Sequence, residues 1–331
     1  MSTEPLVSVE GLSVRFDTLE GAIHAVNGVS FDLAQGEVLG ILGESGSGKS
    51  VAMRAICGLL PHYARVAGKV RFAGREIQDL DDAELSTIRG SRIAMIFQEP
   101  MTAFDPVFTV GDQIAETIVR HRGVSWRDAM RRAEELLERV QIPSARRRLA
   151  AYPHEMSGGM QQRAMIALAL SCEPQLLLAD EPTTALDVTV QIQIILLLRE
   201  LQRELGMSVI IVTHDVGVAI EISDRLAVMY AGRFVETGPT ADVVERPGHP
   251  YTDGLLSSTV LRAQAGRRLN AIPGAPPDLK ALPRGCAFAP RCRNAQERCR
   301  MELPVLADLA PGRATRCPPL REGRITVGRN W

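Results

Sequence analysis

The stretch Gly43-Glu44-Ser45-Gly46-Ser47-Gly48-Lys49-Ser50 decides how the rest of the chain is read. The apolar run Val38-Leu39-Gly40-Ile41-Leu42 before it has the character of a buried strand, and Val51 to Leu60 after it has helical periodicity. Strand, glycine-rich turn, Lys-Ser and helix is the arrangement of a phosphate-binding loop. Glycines let backbone N–H groups turn inward around an anion, and the helix N-terminus adds unpaired donors and the positive end of its dipole. Lys49 is then expected to reach the β- and γ-phosphates and the Ser50 hydroxyl to ligate Mg²⁺, with Val51 beside them at the start of the helix. The expected ligand is a nucleoside triphosphate.

Around this loop the chain is long enough, at 331 residues, for about two domains. With 45% hydrophobic and 23% charged residues it is expected to fold as a soluble protein. No run approaches the roughly 18 apolar residues of a membrane helix, and Met1 to Glu10 lacks the basic and apolar regions of a secretory signal. A cytoplasmic protein is expected, with any membrane association made through a partner.

The net charge of −1 conceals an asymmetry. Residues 1–245 carry 23 Lys+Arg against 33 Asp+Glu, whereas residues 246–331 carry 15 against 6. This shift suggests a boundary near Arg246-Pro-Gly-His-Pro250. A basic tail is compatible with nucleic-acid binding, but its aromatics are few (Tyr251, Phe288 and Trp331), and stacking on single strands needs more. Cys57 and Cys172 sit alone in apolar helical patterns and read as core residues. Cys286, Cys292, Cys299 and Cys317 lie together in the tail, and in a cytosolic chain such a group reads as metal or cluster ligation before disulfides.

Residues 6–37 alternate apolar and polar, as in Val7-Ser-Val9, Leu12-Ser-Val14-Arg-Phe16 and Val29-Ser-Phe31-Asp-Leu33, which predicts half-buried strands of an antiparallel layer. A short strand and turn are expected over 66–80, and a buried strand at Arg92–Phe97 leading to Gln98. From there to about 165 the pattern is helical. Ser125 caps one helix with Asp128 three residues on, and Ala129, Ala133, Leu136, Leu137 and Val140 form its apolar stripe. Apolar strands at 175–179, 208–212 and 225–230 alternate with helices, among them Val190 to Leu205, and imply a largely parallel sheet covered on both faces. Residues 260–285 read as an irregular surface segment rich in Pro and Gly.

Four further segments carry chemistry. Leu176-Leu-Leu-Ala179 ends in Asp180-Glu181, the pattern that places one carboxylate for Mg²⁺ and an adjacent one as a general base toward water in line with the γ-phosphate. Ser157-Gly158-Gly159 opens a helix and makes a second anion site, more than a hundred residues from the first. His214 follows a strand in Thr213-His-Asp215 and is placed to reach a γ-phosphate. Gln98, also at a strand end, is a candidate neutral oxygen ligand for Mg²⁺.

In this order the segments resemble the ATP-binding-cassette family of transport ATPases, over residues 6–245. The resemblance implies a P-loop α/β cassette with a mixed core sheet, an antiparallel β layer and a helical subdomain at about 99–165, followed by a small irregular Cys-rich extension at 246–331. It implies ATP and Mg²⁺ as ligands, with Gln98, Glu181, His214 and Lys49 catalytic. It also implies two cassettes meeting head to tail, so that Ser157, Gly158, Gly159 and Gln161 of one chain close on ATP held by residues 43–51 of the other. The second cassette is expected to be a related chain, with a homodimer as the alternative. Adenine in this family stacks on an aromatic of the first strands, for which Phe16 is the candidate and His24 the fallback. Two departures stand out. The signature Met156-Ser-Gly-Gly-Met160-Gln161 has Met where Leu is usual. The stretch Gln98-Glu-Pro-Met-Thr-Ala-Phe-Asp-Pro106 differs from the Ser-Leu-Asn-Pro ending of the oligopeptide branch, which bears on the choice of membrane partner.

The tail resembles the C-terminal extension of dipeptide and oligopeptide importer ATPases, in Pro247-Gly-His-Pro-Tyr-Thr252 and Gly285-Cys-Ala-Phe-Ala-Pro-Arg-Cys292 with Cys299 and Cys317. Four thiolates suit zinc or a 4Fe–4S cluster, and Arg291, Arg293, Arg298 and Arg300 would offset the negative charge of either. The resemblance favours the cluster, in a structural role. The expected function is therefore ATP hydrolysis that energises import of peptides, with nickel, opine, sugar or glutathione as alternative cargo. Partners would be two permease subunits and an extracytoplasmic solute-binding protein, with no nucleic acid, at the cytoplasmic face of the inner membrane. The rival class is a soluble cassette ATPase of nucleic acid or ribosome, which usually carries both cassettes in one chain.

Overall fold

The computed structural model describes residues 4–259 and 271–327. The chain opens with the long strands β1 (Val7–Thr18) and β2 (Gly21–Leu33), then β3 (Val38–Leu42) and helix α1 (Lys49–Ile56). Strands β4 (Ala64–Phe72) and β5 (Arg75–Glu76), helix α2 (Asp82–Ile88) and strand β6 (Ile93–Ile96) follow. A helical run comprises α3 (Pro100–Ala103), α4 (Val110–Arg122), α5 (Trp126–Arg139), α6 (Ala145–Leu149) and α7 (Gly158–Leu170). Alternation resumes with β7 (Leu176–Asp180), α8 (Val188–Leu205), β8 (Ser208–Thr213), α9 (Val216–Ile222), β9 (Arg225–Tyr230), β10 (Arg233–Pro239) and α10 (Thr240–Glu245). The tail adds α11 (Pro250–Ser257), α12 (Glu297–Met301), β11 (Ala307–Ala310), β12 (Arg313–Thr315) and α13 (Pro318–Arg321).

These elements form two units. The first takes the segment ending at Leu33, Val38–Gln78 and the segment from Val212 onward; the second takes Ala34–Glu37 and Asp79–Ile211. In the first, β2-β1-β4-β5 make an antiparallel sheet. The two short runs at 7–9 and 12–16 form one strand, because irregularities of register between Val9 and Val14 restore the inward parity. Val7, Val9, Leu12 and Val14 thus all face the core. A second sheet of this unit runs β11-β12-β10-β9-β3, with β3 parallel to β9 and the remaining pairs antiparallel. Strand β10 has no counterpart among the sequence expectations. It follows β9 through the two-residue turn Ala231-Gly232, both with positive φ, which suits the twist of a hairpin.

The core of this unit runs straight through the compositional step at residue 246. Leu42 of β3, Leu226, Val228 and Tyr230 of β9, and Tyr251, Leu255 and Phe288 of the tail belong to one buried cluster. The tail aromatics Tyr251 and Phe288 are therefore inside, where no base could stack on them. Trp331 and residues 260–270 of the irregular segment lie outside the described residues.

In the second unit β6 pairs with β7 in parallel, and α4, α5 and α7 pack against one another. Ser125 caps α5 by accepting from the Asp128 N–H, and its stripe Ala129, Ala133, Leu136 and Leu137 is buried. Helix α7 is buried along Ala164–Ala167 and at Ala169 and Leu170. Asp187 caps α8, whose Ile194, Leu197, Leu198 and Leu201 face inward. Cys57 and Cys172 are core residues. Among the described residues no helix is long and apolar enough to cross a membrane.

Candidate nucleotide site and cysteine-lined cavity

Residues 43–51, Phe16 and His214 belong to the first unit; Gln98, Ser157–Gly159, Asp180 and Glu181 belong to the second. Strand β3 is buried at every residue and delivers the chain to Gly43. Gly48 precedes α1 with φ +101°, and a Cβ there would overlap the Ala25 carbonyl oxygen, so the loop can lie this close to β2 only with glycine. Ser45 and Gly46 are exposed at the tip. The Ser47 N–H donates to the Glu44 carbonyl at 3.2 Å, and the Gly232 N–H to the Ser47 carbonyl at 2.8 Å. Lys49 is buried, and its Nζ donates to the carbonyls of Gly43 (2.8 Å) and Glu44 (2.9 Å) within its own loop. The ammonium is thus held at the mouth of a ring of backbone, where an anion would replace two carbonyls as its partner. Ser50 and Val51 follow, half-buried, in the first turn of α1.

Phe16 lies half-buried on β1, opposite Ile23 of β2 and Ala64 of β4. Its ring is 6.0 Å from that of exposed Tyr63, so two aromatics rather than one mark this edge. Tyr63 escaped the sequence reading because its register with Phe16 exists only once β4 pairs with β1. His24 pairs with Arg15 and donates its backbone N–H to the Leu279 carbonyl at 3.0 Å. His214 is exposed just after β8, and the following Asp215 caps α9 by accepting from the N–H groups of Gly217 and Val218.

In the second unit Asp180 is fully buried at the end of β7. Glu181 follows with φ +47°, a left-handed conformation that a non-glycine residue adopts at a cost. One of its carboxylate oxygens accepts from Gln98 Nε2 at 3.2 Å and from Thr184 Oγ1 at 2.9 Å. The structure therefore brings Gln98 and Glu181 together from different strand ends. Ser157 caps α7, accepting weakly from the Met160 N–H at 3.4 Å, and it and Gly158 are exposed. A Cβ on Gly159 would press on Val190 at 3.0 Å. Gln161 donates its amide to the carbonyls of Pro153 (2.9 Å) and Met156 (3.1 Å), an engagement that braces the turn leading into the signature.

Cys286, Cys292, Cys299 and Cys317 all line one cavity of about 220 Å³ in the first unit, together with Arg298, Arg316 and His249. All four are free thiols. Burial pushes Cys286 up to about 11 and Cys317 up to about 12, so in the metal-free chain they carry their protons. Among the described residues no group of three or more His, Cys, Asp or Glu side chains is set to hold a metal ion, although the four cysteines share the lining of one cavity. Of the arginines expected to offset charge there, Arg298 lines the cavity and Arg291 does not; Arg316, from β12's end, does.

Three arginines of the basic tail make ion pairs within the chain. Arg313 pairs with buried Glu236 at 3.3 Å, and Arg298 pairs with Glu322 at 2.7 Å. Arg291 makes a two-pronged pair with Glu44 of the phosphate loop, at 2.7 and 3.0 Å. No sequence spacing announces this last contact. The signal available was chemical: an acid in a loop built for anions calls for a neighbouring cation.

Comparison with known proteins agrees with this arrangement. The ABC transporter family model matches residues 26–184, and that of the oligopeptide/dipeptide transporter C-terminal region matches residues 235–299. The chain is 49% identical over 312 residues to the oligopeptide transport ATP-binding protein OppD of Salmonella typhimurium, covering 94% of this chain and 93% of the relative. It is 48% identical over 314 residues to OppD of Escherichia coli, covering 95% and 93%. Among solved structures it is similar to the ATP-binding cassette MJ0796, in a dimeric post-hydrolysis state bound to ADP and Pi. The TM-score is 0.64 at 32% identity, over 71% of this chain and 98% of that one. The chain belongs to the ABC transporter ATP-binding proteins that carry the oligopeptide/dipeptide transporter C-terminal region.

Proposed function

We propose that this chain is the ATP-hydrolysing subunit of a peptide importer. The observation that carries the reading is that one chain, aligned almost end to end with OppD, holds both a glycine-tight phosphate loop and, in its other unit, a carboxylate fixed at a strained strand end. The loop's backbone N–H groups and Lys49 would bind the β- and γ-phosphates, Lys49 exchanging two carbonyl partners for phosphate oxygens. Gln98 and Thr184 hold one oxygen of Glu181, whose carboxylate would act as general base for the attacking water. His214, exposed after β8, would contact the γ-phosphate, and Phe16 with Tyr63 would take the adenine. Ser50, Gln98 and Asp180 would supply hydroxyl, amide and carboxylate oxygens, hard donors of the kind Mg²⁺ prefers, and the ion would offset phosphate charge.

The exposed Ser157–Gly158 segment is offered to a second cassette, and the likeness to a dimeric cassette supports closure between two chains. Two permease subunits and a solute-binding protein complete the proposed importer, with this chain peripheral on the cytoplasmic face of the inner membrane. The 246–331 extension would hold a 4Fe–4S cluster through Cys286, Cys292, Cys299 and Cys317. The reading rests on the four cysteines lining one cavity and on the tail's resemblance to importer extensions; four thiolates would equally suit a single zinc, which is the alternative. The cluster's role would be to tie together a segment short of regular structure.

The test is the complete importer reconstituted in vesicles. ATP hydrolysis should rise with peptide-loaded binding protein and vanish with Lys49→Ala. Stimulation by nickel, opine, sugar or glutathione but not by peptides would reassign the cargo.

A further inference from the structure

Glu44 places a carboxylate in the loop that must receive a highly charged triphosphate. Its neighbours answer for that charge from the far end of the chain. Arg291, only 6% exposed, closes a fork on both oxygens of Glu44, which is 26% exposed. The guanidinium is itself held in place: its Nε donates to the Pro273 carbonyl at 2.8 Å, and it reaches the Tyr230 hydroxyl at 3.3 Å. Tyr251 completes the arrangement by accepting the Glu44 backbone N–H on its hydroxyl at 2.9 Å. Side chain and backbone of one loop residue are thus both fixed by the tail, the side chain by Arg291, which immediately precedes Cys292, and the backbone by Tyr251.

We propose that Arg291 is a positioning residue of the nucleotide site, which neutralises and orients Glu44 so that the phosphate loop presents a net attractive surface to ATP. A two-pronged guanidinium–carboxylate pair is among the stronger charged contacts, and its shielding from water keeps it effective. Without Arg291 the carboxylate would stand uncompensated beside incoming phosphates, and like charges at short range in a partly buried site repel. The consequence is a weaker ground-state affinity for nucleotide, with the chemical step at Glu181 left as it was. The inference rests on the proposed nucleotide site, and its test separates the two.

The full chain is purified with its importer partners, and ATP affinity is measured by equilibrium titration beside KM and kcat. Arg291→Gln, which keeps hydrogen-bonding capacity but removes the charge, should weaken ATP binding roughly tenfold and raise KM in parallel, with kcat at saturating ATP within about twofold of wild type. Arg291→Lys, which keeps the charge, should stay within about threefold. The decisive variant is Arg291→Gln with Glu44→Gln, which removes the carboxylate that Arg291 answers and should recover most of the lost affinity. Failure of that rescue, or equal losses in the Gln and Lys variants, would overturn the proposal by showing that Arg291 merely holds the fold. Lys49→Ala serves as the control: persistent ATP binding there would instead remove the proposed nucleotide site itself.

Discussion

Replacing Gly48 with alanine tests the close approach on which the phosphate loop depends, and Gly46→Ala supplies the reference. Both residues have positive φ, +101° at Gly48 and +76° at Gly46. An L-side chain pays about 1–2 kcal/mol for that conformation at either position. Only Gly48 is also crowded: its added Cβ meets the Ala25 carbonyl oxygen of β2 and approaches Gly232 Cα at 3.4 Å, whereas nothing lies within 4 Å of a Cβ at Gly46. Both obstacles are backbone, so neither can rotate away, and overpacking of this kind adds about 1–3 kcal/mol. Gly48→Ala should therefore cost about 2–5 kcal/mol in total. At about 2 °C per kcal/mol, nucleotide-free protein should melt about 4–10 °C lower with Gly48→Ala and about 2–4 °C lower with Gly46→Ala. Calorimetry of the two variants beside wild type reads the difference. Equal depressions would refute the argument, since they would leave dihedral strain as the only cost and the loop free to move off β2.

Glu181→Gln keeps the size and the contacts to Gln98 and Thr184 but cannot take a proton, so turnover should fall at least about 100-fold while ATP binding persists; hydrolysis near wild type would exclude Glu181 as the base. Anaerobically purified chain should contain iron and absorb visible light broadly, and Cys317→Ser should lose both; stoichiometric zinc without iron would overturn the cluster. His249 is buried with its Nδ1 accepting the Tyr251 N–H at 3.1 Å, and burial lowers its pKa from 6.5 to about 3. Below pH 6.5 the unfolded chain therefore binds a proton that the folded chain refuses, so this stability is complete above that pH and is lost as pH falls toward 3. His249→Gln, which still offers an acceptor but does not titrate, should flatten the fall in melting temperature over that window; an unchanged slope would count against it.

How far the sequence reaches is clearest at particular residues. Lys49, Asp180, Glu181, Ser157 and His214 were legible because each stands at a fixed offset from a strand or helix end, and such ends are set by local patterning of apolar runs, glycines and caps. The capped stripe of α5 was legible for the same reason. Contacts between segments distant in the chain were not. Gln98 meets Glu181, Tyr63 meets Phe16 and Arg291 meets Glu44 across 83, 47 and 247 positions, distances at which no local pattern constrains a partner. Charge composition marks the tail as a basic module, yet Arg291, Arg313 and Arg298 pair with Glu44, Glu236 and Glu322, and Tyr251 and Phe288 join the buried cluster of β3 and β9. Composition counts charges without saying where their partners lie. The sequence alone determined that a phosphate loop, a carboxylate strand end and a signature turn are present and in what order. Only the tertiary structure decided that the loop's own acid is balanced from the cysteine-bearing tail, because burial and pairing are properties of the packed chain.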